Sequence, residues 1–145
     1  MTKQSFVNLF HRRWREAEKA TGPLDVVLYE GNPSEFPHKR NMAYTVIYRG
    51  SNGSVHTDVV VAPKLIKGEQ DRADAVIRHE LGHVIDAHFP FRKLREWAPG
   101  KLPRGLERRA DVIAEVVWGE PIKYDRDTVQ SICCGVHPRP PHLGY

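Results

Sequence analysis

The spacing of apolar side chains predicts three main helices, at residues 4–20, 71–88 and 103–118. In each of them apolar residues recur three and four positions apart, which places them on one helix face. The stripe of the first helix consists of Phe6, Leu9, Phe10, Trp14 and Ala17, and that of the last consists of Leu106, Ala110, Ile113, Ala114 and Val117. Residues that stop helices follow all three, namely Gly22, Pro90 and Gly119. A shorter helix is predicted at residues 125–133.

Three stretches rich in β-branched residues predict strands, at residues 24–29, 42–48 and 54–62. The turn sequence at residues 50–53 joins the last two into an antiparallel hairpin. Alternation along the third strand predicts one face with Val55, Thr57, Val59 and Val61 and an opposite face with His56, Asp58 and Val60. These elements predict an α+β fold with an N-terminal helix and a small, mostly antiparallel sheet of three to four strands.

The length of 145 residues suits one domain with a core of its own. Apolar residues make up 40% of the chain and charged residues 28%, which are ordinary proportions for a globular protein. We expect this single domain to occupy residues 1–135. Residues 136–145 include Pro138, Pro140 and Pro141, and we expect them to form an extended or mobile tail.

The chain is mildly basic, with a formal net charge of +4. We interpret its scattered arginines as solvated helix faces, with a binding patch as the alternative. They are Arg12, Arg13, Arg15, Arg92, Arg95, Arg104, Arg108 and Arg109. A charge this small permits acidic partners without indicating nucleic acid, and the sequence has no nucleic-acid recognition motif. We therefore expect no nucleic-acid partner.

No stretch reaches the roughly 18 apolar residues of a membrane span. Residues 1–15 lack the apolar core of a signal peptide. The two cysteines, Cys133 and Cys134, are adjacent, and a disulfide between neighbours strains the peptide that joins them. Because reduced thiols are typical of the cytoplasm, we expect a cytoplasmic protein with no membrane partner.

The candidate chemistry concentrates in residues 79–83, His-Glu-Leu-Gly-His, within the second predicted helix. Positions i and i+4 of a helix share a face, so His79 and His83 can bind one metal ion. Glu80 lies beside that face and can take a proton from a zinc-activated water. The alternative is a helix face that carries two histidines by chance. A zinc site also needs a third ligand and an open fourth position.

The helix predicted at residues 103–118 offers that third ligand in Glu107, because a carboxylate oxygen binds zinc. Asp111 lies one turn further on the same face and can accept the free ring N–H of a ligating histidine, which fixes its tautomer. Ala110, between them, allows close helix packing. The alternative interpretation is an acidic first turn that stabilises the helix dipole.

Together, residues 79–83 and 107–111 resemble the motifs of the gluzincin zinc metallopeptidases, in particular the minimal gluzincins, and are also similar to those of the ImmA/IrrE proteases. The resemblance covers residues 55–120. It implies a zincin-like fold with an active-site helix and a glutamate helix. It also implies one zinc ion per chain, held by His79, His83 and Glu107, with Glu80 as the general base. Residues 54–62 are then the candidate for an edge strand that binds the substrate backbone.

Two other ligand sets fit less well. The metzincin pattern HExxHxxGxxH requires glycine and histidine at two positions that Asp86 and Phe89 occupy here. Asp86 is itself a poor third ligand, since one straight helix cannot easily wrap three side chains around a tetrahedral ion. We expect His88 to be a surface residue, because a cation is favourable near a helix C-terminus.

The sequence therefore predicts a zinc metalloendopeptidase that hydrolyses the peptide bonds of a protein or peptide. A zinc-containing regulatory or binding module without turnover is the alternative, and the intact Glu80 argues against it. Tyr124, His137 and His142 are candidates for stabilising the oxyanion, and the sequence does not choose among them. It does not specify the substrate or the oligomeric state.

Overall fold

The computed structural model describes residues 1–37, 41–89, 93–94 and 102–122, together with the backbone of residues 133–137. Helix α1, Lys3–Thr21, begins the fold. Thr2 caps it, because its hydroxyl accepts a hydrogen bond from the Ser5 N–H while Ser5 Oγ accepts one from the Thr2 N–H, both at 3.0 Å. The helix buries Phe6, Leu9, Phe10 and Ala17, as its apolar stripe predicts. Gly22 ends it with a φ of 128°, a conformation that favours glycine.

Four strands form one sheet. They are β1, Val26–Glu30, β2, Ala43–Arg49, β3, Val55–Val61, and β4, Cys133–His137. Their order across the sheet is β1-β3-β2-β4. β2 and β3 form the predicted antiparallel hairpin, whereas β1 pairs with β3 and β4 pairs with β2 in parallel. The α+β class is confirmed, but the prediction of a mostly antiparallel sheet is wrong, because the sheet is mixed.

The mixed pairing depends on the connection between β1 and β2. Residues 31–42 connect β1 to β2, which are not neighbours in the sheet. One strand position separates them, and β3 occupies it. β3 consequently lies between β1 and β2, and both of its edges are paired. The expectation that residues 54–62 form an edge strand for substrate binding is therefore wrong.

The two faces of β3 pack in different places, as the alternation predicts. Val59 and Val61 belong to the main core between the sheet and the helices. Val60 packs on the opposite face with Phe36 and Tyr44 in a smaller apolar cluster. The sheet thus presents one side of β2 and β3 to the helices that carry the motifs of residues 79–83 and 107–111.

The motif at residues 79–83 lies in the middle of the helix that packs against the sheet and the other two long helices. A single helical turn, α2 (Pro63–Ile66), leads into this helix, α3 (Gln70–His88). α3 packs against α1, β2, β3 and the last described helix, α4 (Leu106–Trp118). Because it has neighbours on several sides, it buries polar as well as apolar residues. It ends at Phe89, whose extended backbone suits the residue before a proline.

The start of α4 differs from the prediction. α4 begins at Leu106 with Gly105 as its N-cap, three residues later than predicted. A glycine inside a helix costs about 1 kcal/mol relative to alanine, which favours a start after Gly105. The buried positions of α4 are Ala110, Ile113 and Ala114, whereas Leu106 is 53% exposed. The apolar stripe was therefore predicted one turn too long, since α4 is covered only from its second turn onward.

Two arginines that were expected on solvated faces form ion pairs between helices instead. Arg13 of α1 contacts Asp74 of α3 through two nitrogens, with Nε–Oδ1 at 2.7 Å and Nη2–Oδ2 at 2.9 Å. Arg109 of α4 pairs with Asp86 of α3. For these two residues the prediction is wrong, because packing of the three helices brings a carboxylate to each guanidinium.

The C-terminal predictions fall largely outside the described residues. Of the helix predicted at residues 125–133 only Cys133 is described, and it begins β4. β4 continues to His137, across the boundary expected after residue 135, and the remainder of the expected tail lies outside the described residues. Among the residues that the structure describes, no helix is both long enough and apolar enough to cross a membrane.

Candidate metal centre

The centre is built on α3, where His79 and His83 lie one turn apart. Their rings meet edge to face with centroids 4.7 Å apart, and both side chains are buried. Both Nε2 atoms contact a carboxylate at the start of α4, so the two rings converge on one point between the helices. This convergence is the arrangement that the i, i+4 spacing permits.

The carboxylate at that point belongs to Glu107, in the first turn of α4. Its Oε2 lies 2.8 Å from His79 Nε2, and its Oε1 lies 3.2 Å from His83 Nε2. Two donors that each lie 2.0–2.1 Å from a tetrahedral zinc are about 3.3 Å apart. The longer of the two contacts to Glu107 is close to this spacing, and the shorter one is about 0.5 Å below it.

Asp111 supports the centre from behind His79. Its Oδ1 lies 2.7 Å from His79 Nδ1, the ring nitrogen that faces away from Glu107. A carboxylate on Nδ1 leaves Nε2 as the nitrogen for a metal and holds the ring orientation. The structure thus places Asp111 where a partner that orients a ligating histidine would lie.

The electrostatics of the centre favour a positive charge among its carboxylates. Burial acts to lower the pKa of His79, but hydrogen bonds to Asp111 and Glu107 outweigh it and raise that pKa to about 10. Burial acts to raise the pKa of Glu107, but hydrogen bonds with His79 and His83 outweigh it and hold that pKa well below its usual range. A divalent cation can supply the same charge in place of the proton on His79.

Glu80 is the second glutamate at the centre and is fully buried. Its Oε1 accepts a hydrogen bond of 2.8 Å from Oγ1 of Thr45, which lies on β2. Its Oε2 has no hydrogen-bond partner among the described residues. A buried carboxylate oxygen without a partner is rare in folded proteins and calls for a ligand or water to meet it. Thr45 could not be predicted as part of the centre, since no motif or spacing relates it to Glu80.

His79, Glu80 and His83 form a buried group that could hold a metal ion, with ligand atoms all within 4.8 Å of one another. Glu80 and Glu107 are both within reach of the histidines, and their surroundings distinguish them. Glu107 touches both Nε2 atoms, whereas one oxygen of Glu80 is held by Thr45. Glu107 therefore contacts both histidines, and Glu80 is held beside them by Thr45.

The structure also shows what Asp86 and His88 contact, two residues further along α3. Asp86 pairs with Arg109 on α4, which occupies its carboxylate. His88 is half-buried rather than on the surface, with Nδ1 2.8 Å from the Val84 carbonyl oxygen and Nε2 accepting the Asp25 N–H at 2.9 Å. Burial lowers the pKa of His88, so the expectation of a surface cation at this helix end is wrong.

The three candidates for stabilising an oxyanion have side chains outside the described part of the chain. Tyr124 and His142 lie outside the described residues, and His137 is described only as part of the backbone of β4.

The chain matches no protein-family model, no curated protein and no solved structure.

Proposed function

We propose that this protein is a zinc-dependent metallopeptidase of the gluzincin type, with a zincin-like fold, that hydrolyses peptide bonds in a protein or peptide. One observation carries the proposal: Glu107 touches both His79 and His83, beside a second glutamate, Glu80, which is buried and has an oxygen that lacks a partner among the described residues. A site that only binds metal has no evident use for Glu80, whereas a hydrolase needs a proton acceptor there.

In this proposal His79, His83 and Glu107 hold one zinc ion per chain, and Asp111 keeps the His79 ring in place. When bound, zinc polarises the substrate carbonyl and lowers the pKa of a water molecule. Two imidazoles and one carboxylate are a donor set found in catalytic zinc sites, which keep the fourth position for water or substrate. Since imidazole also suits iron, copper and nickel, the identity of the metal requires its own measurement.

Glu80 acts as the general base. Its Oε2 takes the proton of the attacking water and later passes it to the leaving amine nitrogen. Because Oε1 is held by Thr45, the carboxylate can perform both transfers without leaving its position. Burial of the whole side chain keeps bulk water away from the proton that it carries.

Metal analysis of freshly purified protein tests the first half of the proposal. X-ray fluorescence or mass spectrometry should find one zinc per chain, and Glu107→Ala should lower that content sharply. Glu115→Gln is the matched control, because Glu115 is an exposed acid on the same helix. A protein that takes up no zinc under metal-replete conditions would contradict the proposal.

Glu80→Gln tests the second half, because the amide keeps the shape of the side chain and cannot accept the proton. Wild-type protein is first screened against denatured proteins and a peptide library, with mass spectrometry of the products. The variant should retain zinc and lose cleavage of any substrate found. Cleavage at the wild-type rate would show that Glu80 is not the base.

The burial of the centre favours a second candidate, a zinc-containing regulatory or binding module without turnover. His79, Glu80 and His83 are each no more than 1% exposed and could all offer ligand atoms, and a fourth coordination position filled by Glu80 would close the site as in structural zinc sites. This candidate predicts one zinc per chain, no cleavage of any substrate by wild type, and a loss of stability when zinc is removed.

A further inference from the structure

We propose that Thr45 is a positioning residue for Glu80, which holds the carboxylate away from the metal and directs Oε2 toward the attacking water. The inference rests on the proposed function and adds to it a residue that no motif contains. The structure connects Thr45 to the centre through its hydrogen bond to Glu80.

The position of Thr45 is set by the sheet. It lies on β2 with Val59 of β3 as its partner on one side and Val136 of β4 on the other. Its side chain is fully buried and faces the helices, where alternation along β2 also directs Ala43. A hydroxyl on an interior strand has little freedom to move, so the donor that Glu80 meets is fixed in space.

Glu80 needs such a restraint because it is close enough to become a ligand. A carboxylate oxygen of Glu80 lies within 4.8 Å of the ligand nitrogens of both histidines. A free carboxylate beside a divalent cation binds it, since carboxylate oxygen is an ordinary zinc ligand. If Glu80 did so, the fourth position would be filled and the proton acceptor would be lost.

The hydrogen bond from Thr45 also makes the two oxygens of Glu80 different. Oε1 is occupied at 2.8 Å, and Oε2 is buried without a partner among the described residues. A threonine hydroxyl that donates to a carboxylate holds the side chain in place without adding a charge to the site. The chain therefore offers one oxygen for anchoring and one for proton transfer.

Thr45→Val tests this inference, because valine keeps the shape and branching of threonine and removes the donor. Thr45→Ser restores the donor. Thr57→Val is the control: Thr57 is equally buried on neighbouring β3, and its hydroxyl donates to the Asp25 carbonyl rather than to the centre. Each protein is stripped, loaded with cobalt(II) as a spectroscopic substitute for zinc, and measured by visible absorption and by competition with a chelator.

In Thr45→Val we expect weaker cobalt absorption, as a higher coordination number produces, together with unchanged or tighter cobalt affinity. On any substrate that wild type cleaves, kcat should fall about ten- to a hundredfold with KM nearly unchanged, as loss of a hydrogen bond to a charged group implies. Thr45→Ser should recover both the spectrum and most of kcat. Thr57→Val should match wild type in both.

The outcomes separate this inference from the proposed function. If Thr45→Val has the wild-type cobalt spectrum, the inference is overturned, whatever Glu80→Gln does to cleavage. If wild type binds cobalt and cleaves nothing, the peptidase proposal fails, and the spectra still decide whether Thr45 restrains Glu80. A wild-type protein that binds neither zinc nor cobalt overturns both.

Discussion

Gly82 lies directly against the backbone of Ala110 where α3 meets α4. A Cβ atom on Gly82 would lie only 3.0 Å from Ala110 Cα and 2.9 Å from its carbonyl carbon, and would clash with the carbonyl oxygen. Gly82 precedes His83, and Ala110 precedes Asp111. The absence of a side chain at one position thus permits the close approach through which Glu107 reaches both histidines.

Gly82→Ala should push α4 away from α3 and separate Glu107 from the two histidines. We expect a loss of about 1–3 kcal/mol in the free energy of unfolding, as overpacking in a close-packed core implies, and weaker metal binding. Urea denaturation and chelator competition measure the two effects. Gly105→Ala is the control, because a Cβ there meets nothing within 4 Å. Equal metal affinity in both variants would contradict this account of the helix contact.

Asp111→Asn should weaken metal binding about 10- to 100-fold, the usual effect of removing the partner of a ligating histidine. The amide keeps the size of the side chain but holds the imidazole less strongly at Nδ1, 2.7 Å away in the wild-type protein. Chelator competition gives the dissociation constants. Glu115→Gln removes the same charge one turn further along α4 and should leave the affinity unchanged. A similar loss in both variants would mean that overall charge, not contact with His79, determines the affinity.

The sequence was enough to predict that His79 and His83 lie on one helix face with Glu80 beside it, because residues four positions apart in a helix share a face. The same reasoning placed Glu107 and Asp111 on one face of a second helix. That the two faces meet could only be inferred from the small side chain of Ala110 and from the chemistry of zinc. The contribution of Gly82 could not be predicted from the sequence, because it depends on the backbone atoms of Ala110 that lie against this position.

The order of the strands and the role of Thr45 could not be predicted, for a related physical reason. Alternation in a strand shows which residues share a face and says nothing about which strand lies beside it. For β3, the predicted faces and the antiparallel pairing with β2 are therefore correct, whereas its parallel pairing with β1 was not predicted. Thr45 and Glu80 are 35 residues apart, and their contact depends on how the sheet packs against α3. A threonine within an apolar strand carries no signal of that contact.

The stability of the protein stripped of metal should fall as the pH rises from about 6.5 toward 10. The pKa of His79 is about 10 when folded and 6.5 in its ordinary state, so the folded protein holds this proton more tightly. A raised pKa contributes stability that is complete below pH 6.5 and is lost as the pH rises through 10. The slope is at most about 1.4 kcal/mol per pH unit for one proton.

At low pH the sign reverses, because the pKa of Glu107 is lowered from its ordinary value of 4.5. Its contribution is present above pH 4.5 and is lost as the pH falls below that. Urea denaturation of the stripped protein from pH 4 to pH 9 should therefore show a maximum between about pH 5 and 6.5. Glu107→Gln should flatten both limbs, since it removes one hydrogen bond that raises the pKa of His79. A wild-type curve that is level from pH 6.5 to 9 would contradict the charge arrangement described for His79.

Arg13→Lys should destabilise the fold without changing metal binding. The Arg13 side chain is mostly buried and donates two hydrogen bonds to the Asp74 carboxylate, from Nε to Oδ1 at 2.7 Å and from Nη2 to Oδ2 at 2.9 Å. A lysine cannot reproduce that two-point contact. We expect a loss of about 1–2 kcal/mol in the free energy of unfolding, as for a hydrogen bond to a charged group. Arg12→Lys makes the same exchange at an exposed neighbour on α1 and should stay within about 0.5 kcal/mol of wild type. If the two variants unfold at the same urea concentration, the Arg13–Asp74 pair contributes nothing to the packing of α1 on α3.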